Sequence, residues 1–205
     1  MNDWEKELEA DRALNIETCG DQRGFYSSLH YHRYEATPYR ALEYLWNDYS
    51  IDTTDTIVDY GCGKGRFSFS AHHNFQATVI GIEMNKKLYE AALDNRRLYL
   101  EKHPDKGDNL FFHCGLAEEY EISSNENRFY FFNPFSVQIF MKVINNILRS
   151  VEKKPRHVEL ILYYSSVDFL YYLDNDTMFE LKKEIIVPEW IEKNEHEKFS
   201  IFQLR

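Results

Sequence analysis

A glycine-rich run is the stretch of this chain with the clearest chemical character. Residues 59–66 read DYGCGKGR, and they follow the apolar residues 56–58 and precede residues 67–71, which can open a helix. Glycine lets the backbone turn tightly and approach a ligand closely, and a helix N-terminus offers free N–H groups. A strand, a glycine turn and a helix in this order indicate a site for a nucleotide cofactor.

The spacing of the glycines distinguishes two kinds of cofactor site. Gly61, Gly63 and Gly65 form the pattern G-x-G-x-G, with Asp59 two residues before it. The dinucleotide fingerprint G-x-G-x-x-G would place its third glycine at Arg66 instead. The pattern resembles the first motif of the class I S-adenosylmethionine-dependent methyltransferases. An acid at position 59 suits a cofactor that carries a methionine ammonium group and would sit awkwardly beside a pyrophosphate.

A second acid follows the next apolar run. Residues 77–82 read as a strand that ends in Glu83. An acid at the end of the second strand accepts hydrogen bonds from the two ribose hydroxyls of a nucleotide cofactor. Enzymes that use NAD also have an acid here, so the choice of cofactor depends on Asp59 and on the glycine spacing.

A third motif follows the predicted fourth strand, residues 127–132. Asn133, Pro134 and Phe135 occupy the position of the fourth motif of the methyltransferase family. The resemblance implies that the amide and a backbone carbonyl hold an amine and that the aromatic ring stacks on it, although this chain has one proline where the family pattern has two. Asn-Pro is also a common turn starter, and a core role for Phe135 stays open.

The resemblance also implies further contacts with S-adenosylmethionine. Leu116 and Ala117 follow the third strand, residues 110–114, where the family contacts adenine. The segment that includes Tyr31, Arg33 and residues 34–39 is a candidate lid over the cofactor, with a solvated aromatic loop as the alternative. The full predicted set of cofactor-binding residues is Asp59, Gly61, Cys62, Gly63, Gly65, Glu83, Leu116, Ala117, Tyr34 and Thr37.

Strands and helices alternate from residue 56 onwards, which predicts an α/β fold. We expect a Rossmann-like, mainly parallel seven-stranded sheet with helices on both faces and a C-terminal antiparallel hairpin, residues 179–187 and 199–204. Residues 1–205 are expected to form a single domain, with 1–36 as a helical extension and candidate lid and 37–205 as the core. Thr37 is expected to be the N-cap of a helix that begins at Pro38.

The composition of the chain limits where the protein is expected in the cell and which partners it is expected to bind. The net charge of −10 argues against extended binding to nucleic acid, which is carried mainly by Lys and Arg. No apolar run is long enough to cross a membrane, and the three cysteines fit reduced thiols in a cytoplasmic protein. His30 and His32 are too few ligands for a metal site, so none is predicted. Nothing in the sequence indicates an oligomeric state.

The sequence therefore predicts a methyltransferase that moves the sulfonium methyl group of S-adenosylmethionine to an acceptor by in-line displacement. The acceptor is left open among a protein side chain, an RNA base and a small metabolite, with a planar amino group as one candidate. One alternative is a non-catalytic protein that binds the cofactor as a sensor or complex subunit. Another is a nicotinamide-dependent oxidoreductase, which Asp59 and Arg66 disfavour.

Overall fold

The computed structural model describes residues 2–20, 32 and 34–205, and seven strands within them form one sheet. The strands are β1 (Thr56–Tyr60), β2 (Thr78–Glu83), β3 (Leu110–Cys114), β4 (Arg128–Phe132), β5 (Glu159–Tyr163), β6 (Phe179–Ile186) and β7 (Lys198–Leu204).

Helices separate most of these strands. They are α1 (Asp3–Leu14), α2 (Tyr39–Asp48), α3 (Arg66–Phe75), α4 (Lys86–Lys102), α5 (Val137–Lys153), α6 (Val167–Asp176) and the short α7 (Pro188–Ile191), with 3-10 turns at Pro104–Lys106 and Ala117–Glu119. None of the helices in the described part of the chain has the length and apolar character that a membrane crossing needs.

The strand order across the sheet is β3-β2-β1-β4-β5-β7-β6. Strands β1 to β5 pair in parallel, and β7 lies antiparallel between β5 and β6. This arrangement confirms the predicted fold, including its C-terminal hairpin. The direction of winding reverses between the neighbouring strands β1 and β4, and ligands of open α/β sheets bind at the carboxyl ends of the strands beside such a reversal.

Burial on both faces of the sheet explains why the central strands are apolar throughout. Every residue of β1 and of β5 is buried, as expected for strands that helices cover on both sides. Tyr60 at the end of β1 stacks on Phe129 and Phe131 of β4, with ring centroids 6.4 and 5.2 Å apart. This aromatic packing fixes the ends of β1 and β4 next to each other, and both strands then lead into predicted site residues.

The start of α2 differs from the prediction. The N-cap of α2 is Pro38, with no capping side chain, and the helix begins at Tyr39. The hydroxyl of Thr37 is instead 2.6 Å from the hydroxyl of Tyr130 in β4. Because Thr37 is buried, its hydroxyl needs a partner inside the protein, and the Tyr130 hydroxyl supplies one. The predicted cap at Thr37 is therefore wrong.

Candidate active site

A cleft opens at the carboxyl ends of the parallel strands, where the reversal of the sheet predicts a ligand site. Residues that follow β1, β2, β3, β4 and β5 all contribute to its wall, together with a segment that precedes α2. The lining residues are His32, Tyr34, Glu35, Gly61, Ile82, Glu83, Met84, Asn85, Leu88, Gly115, Ala117, Phe132, Asn133, Pro134 and Tyr164.

Side chains from other segments pack closely against two glycines of the glycine loop. A Cβ atom on Gly61 would lie 2.5 Å from Cβ of Pro134, and one on Gly63 would lie 2.1 Å from Cε2 of Tyr34. Both glycines also have positive φ angles, 76° and 56°, which other residues rarely adopt. The loop therefore has room for backbone but for no side chain, both against the Asn133-Pro134 turn and beneath Tyr34.

Glu83 connects the glycine loop to the start of α4. One carboxylate oxygen accepts a hydrogen bond from the Gly63 N–H at 2.9 Å, and the other accepts one from the Asn85 N–H at 2.7 Å. The side chain lines the cleft although the residue is only 7% exposed. Burial raises the pKa of Glu83, against the lowering effect of the backbone N–H donors. A carboxylate has about four acceptor positions, so Glu83 retains capacity for hydroxyl donors.

Asp59 is a buried acid beside the glycine loop. It is 2% exposed and accepts a hydrogen bond from the Ser68 hydroxyl of α3 at 2.6 Å. Burial raises its pKa to about 7, the Ser68 hydrogen bond opposes this, and the charge of Glu83 adds to it. Asp59 is not among the lining residues of the cleft. Its predicted role beside a ligand ammonium group stays a prediction.

Asn133 follows β4 directly and has a strained backbone and, within the described part of the chain, a side-chain oxygen without a hydrogen-bond partner. Its φ angle is +39°, in the left-handed region that non-glycine residues rarely adopt. The side-chain oxygen Oδ1 is buried and makes no hydrogen bond within the residues that the structure describes. An unpaired buried carbonyl oxygen costs about 1–3 kcal/mol, and Asn133 is also one of the residues that line the cleft.

His32 lies against the same turn. Its Nδ1 is 2.7 Å from the backbone oxygen of Asn133, and its backbone N–H donates to the Pro134 oxygen at 3.0 Å. A carbonyl oxygen can only accept, so Nδ1 carries the proton. In the neutral ring the lone pair is therefore on Nε2.

Tyr34 covers the glycine loop from the segment before α2. Its ring lies over Gly63, and its hydroxyl donates to the Thr18 carbonyl oxygen at 2.8 Å. Burial raises the pKa of Tyr34, so the ring remains neutral. The other residues predicted for the lid, Tyr31 and Arg33, lie outside the described residues.

The cleft brings together some of the predicted site residues and leaves others away from its wall. Those that line it are Tyr34, Gly61, Glu83, Ala117, Asn133 and Pro134. Those that do not line it are Thr37, Asp59, Cys62, Gly63, Gly65, Leu116 and Phe135. Phe135 is fully buried, with its ring 6.2 Å from that of Phe131, which favours the core role left open above.

Several residues that line the cleft were not predicted from the sequence to do so. Met84 and Asn85 follow Glu83 directly, so the end of β2 was the available signal. Tyr164 follows β5 and has a φ angle of +52°. His32 was considered only as a metal ligand, and no group of three or more His, Cys, Asp or Glu side chains in the described part of the chain is arranged to hold a metal ion.

Comparisons with known proteins agree with this architecture. A family defined as a methyltransferase domain matches residues 51–157, more than half of the chain. The ribosomal protein L11 methyltransferase of Chromobacterium violaceum is 26% identical over 77 residues, which are 38% of this chain and 24% of that protein. This chain thus matches about a quarter of the length of that relative.

Solved structures share the fold at low sequence identity. A protein of Pyrococcus horikoshii assigned as an RNA methyltransferase superposes with a TM-score of 0.57 at 18% identity, covering 97% of each chain. Phosphoethanolamine N-methyltransferase 1 of Haemonchus contortus, solved with phosphoethanolamine and S-adenosylhomocysteine, gives 0.57 at 14% identity, covering 80% of this chain and 42% of that one. The family match over more than half of the chain shows that the protein belongs to the methyltransferase-domain family, and its sheet order is that of the class I methyltransferase fold.

Proposed function

We propose that this protein transfers the methyl group of S-adenosylmethionine to an amino nitrogen held at Asn133. The observation that carries the proposal is the buried Oδ1 of Asn133 at the carboxyl end of β4, which has no hydrogen-bond partner among the residues that the structure describes. An amide oxygen accepts hydrogen bonds, so it fits a methyl acceptor that presents an N–H group. The Asn133 amide is a fixed dipole that would replace solvent around the nitrogen, and it would align the nitrogen for attack on the methyl group.

Residues around the glycine loop would hold the cofactor. The backbone at Gly61 and Gly63 permits close approach, Glu83 would accept from the ribose hydroxyls, and Asp59 would favour the methionine ammonium group. Ala117 would contact adenine, and Tyr34 would cover the bound molecule. When bound, S-adenosylmethionine supplies an activated methyl group, so the protein's own task is to align and desolvate the two reactants.

His32 is the group that would take up the proton released in the reaction. Its Nε2 makes no hydrogen bond to any residue that the structure describes, and the ring lines the cleft beside Asn133. Transfer of the methyl group would form the nitrogen–carbon bond, and the electron pair of the broken carbon–sulfur bond would remain on sulfur, which leaves the acceptor nitrogen positively charged. The nitrogen then gives its proton to Nε2, and the exposed imidazole passes that proton to water.

Charge around the cleft favours an acceptor without phosphate next to the reacting nitrogen. The lining residues include the carboxylates Glu35 and Glu83 and, among the described residues, no Lys or Arg. The net charge of −10 acts in the same direction at longer range. We therefore propose an amine of a protein side chain or a small metabolite rather than a base within long RNA.

Calorimetry with two ligands tests the cofactor part of the proposal. S-adenosylhomocysteine should bind the purified protein, whereas NADH should not. Glu83→Gln should weaken S-adenosylhomocysteine by about tenfold or more, because a hydrogen bond to a charged group is worth about 1.5–3 kcal/mol. Glu90→Gln, an exposed position on α4, is the matched control. Binding of NADH in place of S-adenosylhomocysteine would favour the oxidoreductase alternative.

A further inference from the structure

A buried charged cluster connects the N-terminal helix to the glycine loop. Arg66, the residue directly after Gly65, is 4% exposed and forms an ion pair with Glu7 of α1. Its Nε donates to the Thr18 hydroxyl at 2.7 Å, and its guanidinium lies 4.4 Å from the centre of the Tyr39 ring. We call Glu7, Asp11, Thr18, Tyr39 and Arg66 the Arg66 cluster.

Asp11 holds the far side of the Arg66 cluster. It is 3% exposed and accepts from the backbone N–H groups of Thr18 and Cys19 at 2.6 and 2.9 Å. It also accepts from the hydroxyls of Thr18 and Tyr39 at 2.6 and 2.7 Å. Removing a partner from such a network leaves buried polar groups unsatisfied, so the cluster is stable as a complete unit.

The Arg66 cluster acts on the cleft through Thr18. The hydroxyl and N–H of Thr18 are fixed by Arg66 and Asp11, and its carbonyl oxygen accepts the hydrogen bond from the Tyr34 hydroxyl. Tyr34 lines the cleft, and its ring packs on Gly63 of the glycine loop. A continuous chain of hydrogen bonds therefore runs from Arg66 to the residue that covers the glycine loop.

Polar contacts hold the N-terminal segment in place, together with the apolar packing of Leu14 and Ile16. Within α1, all of which is described, the buried residues are Asp11 and Leu14. A second set of hydrogen bonds joins the same region to the loop. Lys64 Nζ donates to the Cys19 carbonyl oxygen at 3.1 Å, and the Asn95 amide bridges the carbonyl oxygens of Lys64 and Glu17 at 3.0 and 3.3 Å.

We infer that Arg66 is a positioning residue for cofactor binding, which acts by holding Tyr34 over the glycine loop through Thr18. The role rests on the proposed function, because it requires S-adenosylmethionine to bind at that loop. Arg66 itself is buried away from the cleft wall, so it affects the ligand through Tyr34 and makes no contact with it. Residues 2–19 then serve as a support for the cofactor site.

A double-mutant cycle on S-adenosylhomocysteine affinity tests this inference. Tyr34→Phe keeps the ring and removes the hydrogen bond to Thr18, and Arg66→Gln removes the charge of the cluster. Each should weaken binding by about tenfold, and the double variant should be no weaker than the poorer single variant, because residues in one network are not additive. Arg40→Gln and Tyr44→Phe, which remove a surface ion pair and hydroxyl at Glu189, are the controls.

Amide exchange of the ligand-free protein gives a second and independent measurement. Arg66→Gln should speed exchange at residues 34–37 by about tenfold or more and leave β4 unchanged. If Arg66→Gln does not fold, Glu7→Gln takes its place in both measurements. Additive losses of affinity, or exchange at 34–37 equal to wild type, would overturn the inference. If Arg66→Gln shows the exchange effect but the wild-type protein does not bind S-adenosylhomocysteine, the result would contradict the proposed function and, with it, the role of Arg66 in cofactor binding.

Discussion

At the scale of one residue, the binding role that we propose for Asp59 would conflict with the stability of the folded protein. Its pKa is raised by burial from the ordinary 3.8 to about 7, so the folded protein holds a proton that the unfolded chain releases. Between these two values a rise in pH lowers stability, and above about pH 7 the loss is complete. In the proposed complex a cationic ligand group near Asp59 would favour the ionised form, so the charge that weakens the empty protein would strengthen the complex.

We expect Asp59→Asn to separate these two effects. At about pH 8 the ligand-free variant should unfold at a higher temperature than wild type, and the difference should shrink towards pH 5. The variant should bind S-adenosylmethionine more weakly than wild type at pH 8. Its affinity should also lack the increase around pH 7 that ionisation of Asp59 gives the wild-type protein. Thermal unfolding and calorimetry at several pH values measure both, with the exposed Asp174→Asn as control. Equal pH profiles of variant and wild type would contradict the assignment.

Asn133 combines a backbone requirement with a side-chain role, and glycine distinguishes them. Because Asn133 has a φ angle of +39°, Asn133→Gly removes the amide without imposing the backbone strain of alanine. Cofactor affinity should stay close to wild type, whereas methyl transfer should fall by ~10²–10³-fold, as for loss of a positioned catalytic dipole. Gln76→Gly, another left-handed residue at an exposed position, is the matched control. A variant with full turnover would exclude Asn133 as the acceptor site.

At the scale of elements, the segment before α2 is the part of the described chain placed to respond to a ligand. Residues 34 and 35 line the cleft, and Tyr34 contacts the glycine loop. S-adenosylhomocysteine at roughly 100 times its Kd should slow amide exchange at residues 34–37 by up to about 100-fold. Exchange in the β6–β7 hairpin, which lies at the far edge of the sheet, serves as the internal control. Unchanged exchange at 34–37 would mean that this segment is not a lid.

Most elements could be predicted from the sequence because their patterns have a local cause. The apolar run that forms β1 and the amphipathic pattern of α5 each reflect burial on a regular repeat. The predicted start of α2 was wrong by one residue. The Thr37 hydroxyl, expected to cap the helix, instead forms a hydrogen bond with the hydroxyl of Tyr130, which is 93 residues away in the chain. A partner so distant leaves no trace in the local pattern.

The candidate site divides in the same way. Gly61 was predicted from the glycine spacing, Glu83 from its place at the end of the second predicted strand, and Asn133 from the resemblance to the methyltransferase family. His32 and the Arg66 cluster were not, because their roles depend on contacts between segments that are far apart in sequence. The ring of Phe135 could equally have faced the cleft or the core, and the side chains around it, such as Phe131, favour the core.

At the scale of the whole molecule, charge predicts the behaviour towards RNA. A protein with a net charge of −10 and a cleft lined by carboxylates should release few counterions from a phosphate backbone. We expect a short single-stranded RNA to show no measurable retention in a filter assay at roughly 0.15 M salt. Tight binding that weakens steeply with added salt would instead reveal a basic surface and favour an RNA acceptor.

The central claim is that this chain transfers a methyl group, and label transfer tests it most directly. Purified protein and S-adenosylmethionine with a labelled methyl group are incubated with fractionated lysate from a strain that lacks the protein. The account predicts that wild-type and Gln76→Gly proteins transfer label to a protein or small-molecule fraction, whereas Asn133→Gly does not. Removal of the amine groups from that fraction should abolish the labelling. Protein that binds S-adenosylhomocysteine yet transfers label to no fraction would contradict the account and support the sensor alternative.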